Sequence, residues 1–226
     1  MNKNIARAYL PLLSLGLLML LASCVSAQAL IDHTDNQQWN EVQVAVPVTK
    51  QFDFNVLGTL RLGRDISHAV DERIGVGFTF KYGKHLQVSP NYLYIGMQPV
   101  RNRRIWENRL SLPVTLRFEL DKFRFSDRNL LERRIRNSGL KANRYRNRLQ
   151  VEHSLGEAKW NLTFYVGDEV FYDWFVDRWV RNRFSVGVSK VFNKHFTQDY
   201  YYLRQNDGVS IPGDLNVIGT TLRFRL

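Results

Sequence analysis

Apolar and polar residues take turns along most of this chain, from about Trp39 to Leu226. In one segment Ile74, Val76, Phe78, Phe80 and Tyr82 interleave with Arg73, Gly75, Gly77, Thr79 and Lys81. In another, Leu110, Leu112, Val114, Leu116 and Phe118 interleave with Arg109, Ser111, Pro113, Thr115 and Arg117. A period of two places successive side chains on opposite faces of a β-strand. A soluble sheet would pack its apolar face on a second layer. Here the segments run to roughly a dozen residues, and the other face is crowded with arginine. That suits a barrel with lipid outside and water inside. The pattern predicts an all-β fold, a single antiparallel up-and-down transmembrane β-barrel.

Eleven strands can be traced after the N-terminal region, at about 38–48, 52–64, 72–83, 85–97, 105–119, 121–136, 142–155, 158–172, 178–192, 194–205 and 215–226. Short polar turns fall at Thr49-Lys50-Gln51, Gly83-Lys84, Asp121-Lys122, Gly156-Glu157 and Asn193-Lys194. Longer links lie between them, at 64–71, 98–104, 137–141, 173–177 and 206–214. Short turns on the periplasmic side and longer loops outside are the outer-membrane arrangement. Single-chain bacterial barrels have even strand numbers, so residues 28–37 are expected to add a strand, giving twelve. Ten is the alternative if one strand has been wrongly divided. Pro90 and Pro113 lie inside strands and lack a ladder donor, which predicts local bulges. Aromatics near strand ends, among them Trp39, Tyr82, Trp106, Trp160, Tyr172, Trp174, Trp179 and Tyr200 to Tyr202, fit interfacial girdles.

The N-terminus supplies an address. Lys3 and Arg7 precede an apolar stretch from Leu10 to Leu21, followed by small residues. This reads as an export signal, too short for a spanning helix of about 20 residues. Cleavage before Leu30 makes residues 1–29 the signal peptide and 30–226 the barrel domain, and a second site lies before Gln28. Leu21-Ala22-Ser23-Cys24 also resembles a lipobox, with cleavage before Cys24. Cys24 is the only cysteine, so a disulfide framework or a cysteine metal site is not expected. The formal charge is +11, spread over alternate strand positions and not gathered in a tail or helix. That argues against nucleic acid. Membrane lipid, lipopolysaccharide and small anionic solutes are the better partners.

An arginine at mid-depth on a lipid-facing wall costs about 2–4 kcal/mol, so arginines at period two belong to the lumen. Arg144, Arg146, Arg148, Gln150 and Glu152 are consecutive inward positions of one strand. Neighbouring strands add Arg124, Arg128, Glu132 and Arg134, then Arg109 and Arg117, then Arg61, Arg73, Arg181, Arg183, Arg223 and Arg225. Glu41, Glu107 and Glu169 are the acidic counterparts. Two readings stand. Arginine and glutamate can knit the interior shut, since the planar guanidinium binds carboxylates bidentately. Alternatively, excess arginine makes a small or gated pore for anions, focused by low-dielectric walls.

Enzyme chemistry finds little footing. In Glu152-His153-Ser154 the His and Ser point to opposite faces, so they cannot form a base–nucleophile pair. His85 and His195 sit at turns, and His68 lies in an outer loop. No metal-ligand spacing and no cofactor are implied. Asp168-Glu169-Val170-Phe171-Tyr172-Asp173-Trp174 reads either as an aromatic rim with charged loop residues or as acids that anchor lumen arginines. A lipid- or lipopolysaccharide-modifying enzyme remains the alternative function.

Several segments taken together resemble a known family. They are the Trp39 strand, Arg128-Asn129 with Leu131-Glu132, and Arg146-Asn147-Arg148-Leu149 with Glu152. Asp168-Glu169-Val170-Phe171 and Tyr201-Tyr202-Leu203-Arg204-Gln205 complete the set. In this order, over about residues 37–226, they resemble the bacterial family catalogued as domain of unknown function 2490. The resemblance implies an outer-membrane barrel without an established activity and carries over no catalytic residue. The final strand, with Ile218, Thr220, Leu222, Phe224 and Leu226 on one face, also resembles the signal read by the barrel assembly machinery. The usual terminal aromatic is replaced by Leu226.

Overall fold

The computed structural model describes residues 34–155 and 161–226. The expected leader cleavage sites, the Gly156-Glu157 turn and Trp160 fall outside these residues. The described chain is one 12-stranded sheet. Its strands are β1 (Asp35–Pro47), β2 (Phe52–Gly63), β3 (His68–Tyr82), β4 (Leu86–Val88), β5 (Asn91–Val100), β6 (Arg103–Leu120) and β7 (Phe123–Arg136). They continue as β8 (Lys141–Ser154), β9 (Leu162–Asp173), β10 (Arg178–Asn193), β11 (Phe196–Asp207) and β12 (Leu215–Arg225). Apart from β4 and β5, strands adjacent in sequence pair antiparallel. β4 and β5 are successive pieces of one position between β3 and β6, so eleven positions go round the wall.

The seam differs from the even-numbered expectation. β1 pairs with β12 in parallel, from Asp35↔Leu215 to Ala45↔Arg225. When hairpins succeed one another without a break, the first and last of an odd number of strands run the same way. Closing the ladder then requires a parallel pair. Closure matters because an open edge would leave a row of backbone groups unpaired.

The connections also differ in length from the sequence reading. At the end where the chain finishes, here the turn end, they span 48–51, 83–85, 121–122 and 194–195. At the opposite, loop end they span 64–67, 101–102, 137–140, 174–177 and 208–214. Half of the link read at 64–71 and most of that read at 98–104 are strand, because the ladder continues where alternation is lost. Ladder irregularities occur at 61/62, 97/100, 179/181 and 191/193. Neither Pro90 nor Pro113 carries the expected bulge. Pro90 only divides β4 from β5, and the register to both neighbours is the same on either side of it. Each proline keeps its acceptor: Phe78 N–H donates to Pro90 O and Ser89 N–H to Pro113 O, both at 2.9 Å. Only the reciprocal bond is lost, which a closed wall tolerates without an inserted residue.

Burial is inverted relative to a water-soluble protein. On β6, Glu107, Arg109, Ser111 and Thr115 are buried while Leu110, Leu112 and Leu116 are exposed. On β3, Ile74, Val76, Phe78 and Phe80 are exposed while Asp71 and Thr79 are covered. The covered face of a closed wall is its lumen, so polar residues are inside and apolar ones outside. Aromatic side chains gather outside near both rims. Tyr94 stacks on Trp106, and Tyr172 meets Trp174 and Trp179 at the loop end; Phe118 stacks on Phe125, and Phe196 on Phe192 and Phe224, at the turn end.

Trp39 is an exception to the girdle expectation. It is 5% exposed and packs inside with Leu203, Leu215, Val217 and Tyr201. Tyr201 lies flat over Gly219, where a Cβ would stand 2.0 Å from the phenol ring. Gly219→Ala is therefore expected to lower stability by about 1–3 kcal/mol through overpacking. Gly58, with nothing within 4 Å of an added Cβ, is expected to accept Ala with no loss and up to about 1 kcal/mol of gain. Urea midpoints of the two variants in a lipid bilayer check this pair.

Candidate functional site: the arginine-lined lumen

The ladder sets the geometry of the interior. Because register is preserved from β6 to β9, one face brings Arg109 opposite Arg134, Ser111 opposite Glu132, Glu132 opposite Arg144, and Arg148 opposite Glu169. Three carboxylates organise the loop-end half. Glu107 accepts from Arg109 at 2.7 Å, from Arg134 at 2.9 Å and from Arg136 at 3.2 Å. Glu132 accepts from Arg144 at 2.7 Å and Arg146 at 2.9 Å, with Arg109 at 3.7 Å. Glu169 accepts from Arg128 and Arg146, both at 2.8 Å, with Arg183 at 3.9 Å. Arg109 and Arg146 thereby bridge carboxylates from different strands into one network. Beside it, Asp71 takes Arg73 bidentately at 2.6 Å, and Asp207 holds Arg181.

Two aromatic rings complete this layer. Phe171 is fully buried, and its ring lies under the guanidiniums of Arg144, Arg146, Arg181 and Arg183, 4.7–5.3 Å from its centroid. Arg61 and Arg183 cover Trp39 at 3.5 and 4.9 Å. A ring face attracts cations most when water is excluded, so the rings carry arginines that the carboxylates do not fully neutralise. Hydrogen bonds continue to the rim. Arg183 Nε donates to Gln205 Oε1 at 2.8 Å, Gln205 Nε2 to Gly213 O at 3.0 Å, and Arg181 to Ser210 Oγ at 2.9 Å, which ties the 208–214 loop to the lumen.

The turn-end half is more open. Arg117 is exposed, and the side chains of Arg124, Arg223 and Arg225 are 45–47% exposed. Arg124 pairs with Glu152, Arg223 with Asp199, and Arg225 and Lys81 with Asp53. Among the described residues, Arg117 and Arg148 have no carboxylate within ion-pair distance. Arg117 lies close enough to Arg124, Arg223 and Glu152 to interact electrostatically, and Arg148 leans over Gly167.

The sequence-predicted residues thus divide. Arg109, Arg128, Glu132, Arg144, Arg146, Glu169, Arg181 and Arg183 belong to the closed layer. Arg117, Arg148 and Glu152 line the open half. Trp39, expected in the girdle, and Phe171, in a segment open to either a rim or a lumen-anchoring reading, are both central to the interior. Their phase was the available signal, since Phe171 is in step with Glu169 and Trp39 with Glu41. The acids of the 168–174 patch separate by face: Glu169 and Asp173 reach lumen arginines, and Asp168 lies outside.

No catalytic constellation forms among the described residues. His153 packs on Phe123 on the outer side, while Ser154 meets Thr163. His85 and His195 contact the backbone carbonyls of Arg117 and Arg225. His68 Nδ1 lies 2.7 Å from Ser67 Oγ, but that hydroxyl also donates to Arg64 O, and no carboxylate joins the pair. Nor does any group of His, Cys, Asp and Glu among the described residues have the makings of a metal site.

Fold and interior define a β-barrel with an apolar exterior and a charged, half-filled lumen. The chain belongs to the family described as protein of unknown function DUF2490, whose model matches residues 36–215. No curated protein matches the chain. Among solved structures, it is similar to an anion-selective porin from Comamonas acidovorans at 11% identity and a TM-score of 0.40, covering 78% of this chain and 54% of that one. It therefore spans about half the length of that porin. It is also similar to the NanC porin at 14% identity and a TM-score of 0.46, covering 80% of this chain and 93% of that one.

Removing one carboxylate from the closed layer leaves buried guanidiniums unpaired. Glu132→Gln is expected to destabilise the barrel by about 3–5 kcal/mol. Glu152→Gln, at the half-exposed Arg124 pair, is expected to cost under about 1 kcal/mol. Denaturant unfolding of both variants tests the division of the lumen.

Proposed function

We propose that this protein is an outer-membrane barrel that binds small anionic solutes in a cationic vestibule, with passage limited by the closed ion-pair layer. The observation that carries the reading is that Arg117 and Arg148, in the open half of the lumen, have no carboxylate within ion-pair distance among the described residues. Walls of low dielectric focus the field of such charges and raise the local concentration of anions. The buried layer beyond them is knit together around Glu107, Glu132 and Glu169, so conduction requires that it rearrange or that a narrow path thread it. With the turn end in the periplasm, where the assembly machinery would read the C-terminal strand, the vestibule opens to the periplasmic side. The apolar exterior is then the surface for membrane lipid, and the outer rim faces lipopolysaccharide. No particular observation favours the lipid-modifying alternative.

Refolded protein in a planar bilayer is expected to give small, intermittent, anion-preferring currents whose preference weakens as salt rises. Arg117→Glu combined with Arg148→Glu is expected to abolish or reverse the preference while the folded barrel keeps its heat-dependent gel mobility. Selectivity that does not move in this variant contradicts the assignment.

A further inference from the structure

Polar side chains occur on the outer wall in more than one place, with Gln38, Asn40, Asn216 and Arg204 over β1, β12 and β11, but only one sector holds mid-strand carboxylates. Asp127, Asn129, Asn147, Asp168 and Asn182 occupy outward positions of β7 to β10, out of phase with the lumen arginines beside them. They lie near the middles of their strands, so in a bilayer they sit far from either rim. Asn147 donates to Asp127 at 2.6 Å, Asn129 to Asp127 at 3.1 Å, and Asn182 to Asp168 at 2.8 Å. The Tyr145 hydroxyl donates to Asn129. Among the described residues no lysine or arginine lies within ion-pair distance of either carboxylate. The island is bordered by exposed Leu131, Val166 and Phe184.

Hydrocarbon cannot solvate this arrangement. A carboxylate accepts through about four lone-pair directions, and Asp168 has one donor. Ionisable residues at membrane depth almost always meet protein or enclosed water instead of lipid tails, and amide side chains in membranes act as contacts between proteins. We propose that the wall over β7–β10 is an interaction surface and that its occupant is a second copy of this chain. Two features favour a copy. The island carries donors and acceptors together, so under a two-fold rotation the amides of one protomer meet the carboxylates of its partner, as an isologous interface requires. A copy inserted in the same direction also presents its own island at the same depth, which pairs polar with polar without tilting either barrel. The inference rests on the membrane placement in the proposed function, not on anion binding.

The test is cysteine cross-linking in cell envelopes, with the full chain, whose only cysteine is Cys24, as background. Asn147→Cys is expected to yield a disulfide-linked species of twice the monomer mass on mild oxidation. Ile218→Cys, exposed on the outer wall of β12, is expected to remain monomeric. Asp127→Leu with Asp168→Leu, added to Asn147→Cys, is expected to remove most of the cross-linked species. Envelope fractionation and heat-dependent gel mobility are read on the same samples. Folded, membrane-inserted Asn147→Cys that stays monomeric overturns the dimer face alone. Protein absent from the membrane overturns the placement on which it rests. Cross-linking that persists after both aspartates become leucine overturns the role given to the polar island.

Discussion

Everything in this structure follows from closing a polar-faced sheet on itself. A closed ladder satisfies the backbone, but it also confines one face of every strand to a narrow, low-dielectric interior. Arginines that would be solvated on an open sheet then need carboxylates or ring faces within a few ångströms. Breaking a buried ion pair costs far more than the pair contributes. The three glutamates at 107, 132 and 169 are therefore less a source of stability than a condition for the arginine-rich face to be enclosed at all. Phe171 and Trp39 serve the same condition where carboxylates run short.

The closed layer is also graded along the barrel. Toward the loop end the side chains reach across and knit the interior together. Toward the turn end they fold against the wall, with Tyr165 over Gly187. Small residues on one strand let long side chains of the next lie flat, and that keeps the lower lumen open. The contrast leaves Arg117 and Arg148 without a close carboxylate and puts buried Arg144 and Arg183 in a paired network, although all four belong to the same alternating pattern.

Much of the architecture was legible from that pattern. Period two fixed strand identity and facing, and the eleven spans read after the leader correspond to the eleven wall positions. The parallel seam was not legible, because parity of strand number is a property of the whole sheet and the even-number rule pointed to twelve. The prolines misled because the expectation weighed the lost donor and not the retained acceptor. Within the lumen, phase identified which residues face inward but not which arginine finds which glutamate. That depends on register across four strands and on how far each side chain reaches. Phe171 and Trp39 carried the right phase, yet aromatic identity suggested a rim for Trp39 and left Phe171 open to either reading. The outward Asp127 and Asp168 are not legible as a pair, since they lie 41 positions apart and come together only through Leu149 of β8.

The proposed membrane placement puts lipid against the even-numbered face of β6 and the protein interior against the odd-numbered face. Nitroxide labels placed singly at Leu110, Ser111, Leu112, Val114, Thr115 and Leu116, in protein reconstituted into a bilayer, test it most directly. The account predicts that labels at 110, 112, 114 and 116 are broadened by dissolved oxygen and shielded from a water-soluble nickel chelate. Labels at 111 and 115 should show little of the oxygen effect. Chelate access at every position, or oxygen access in the opposite phase, would contradict it.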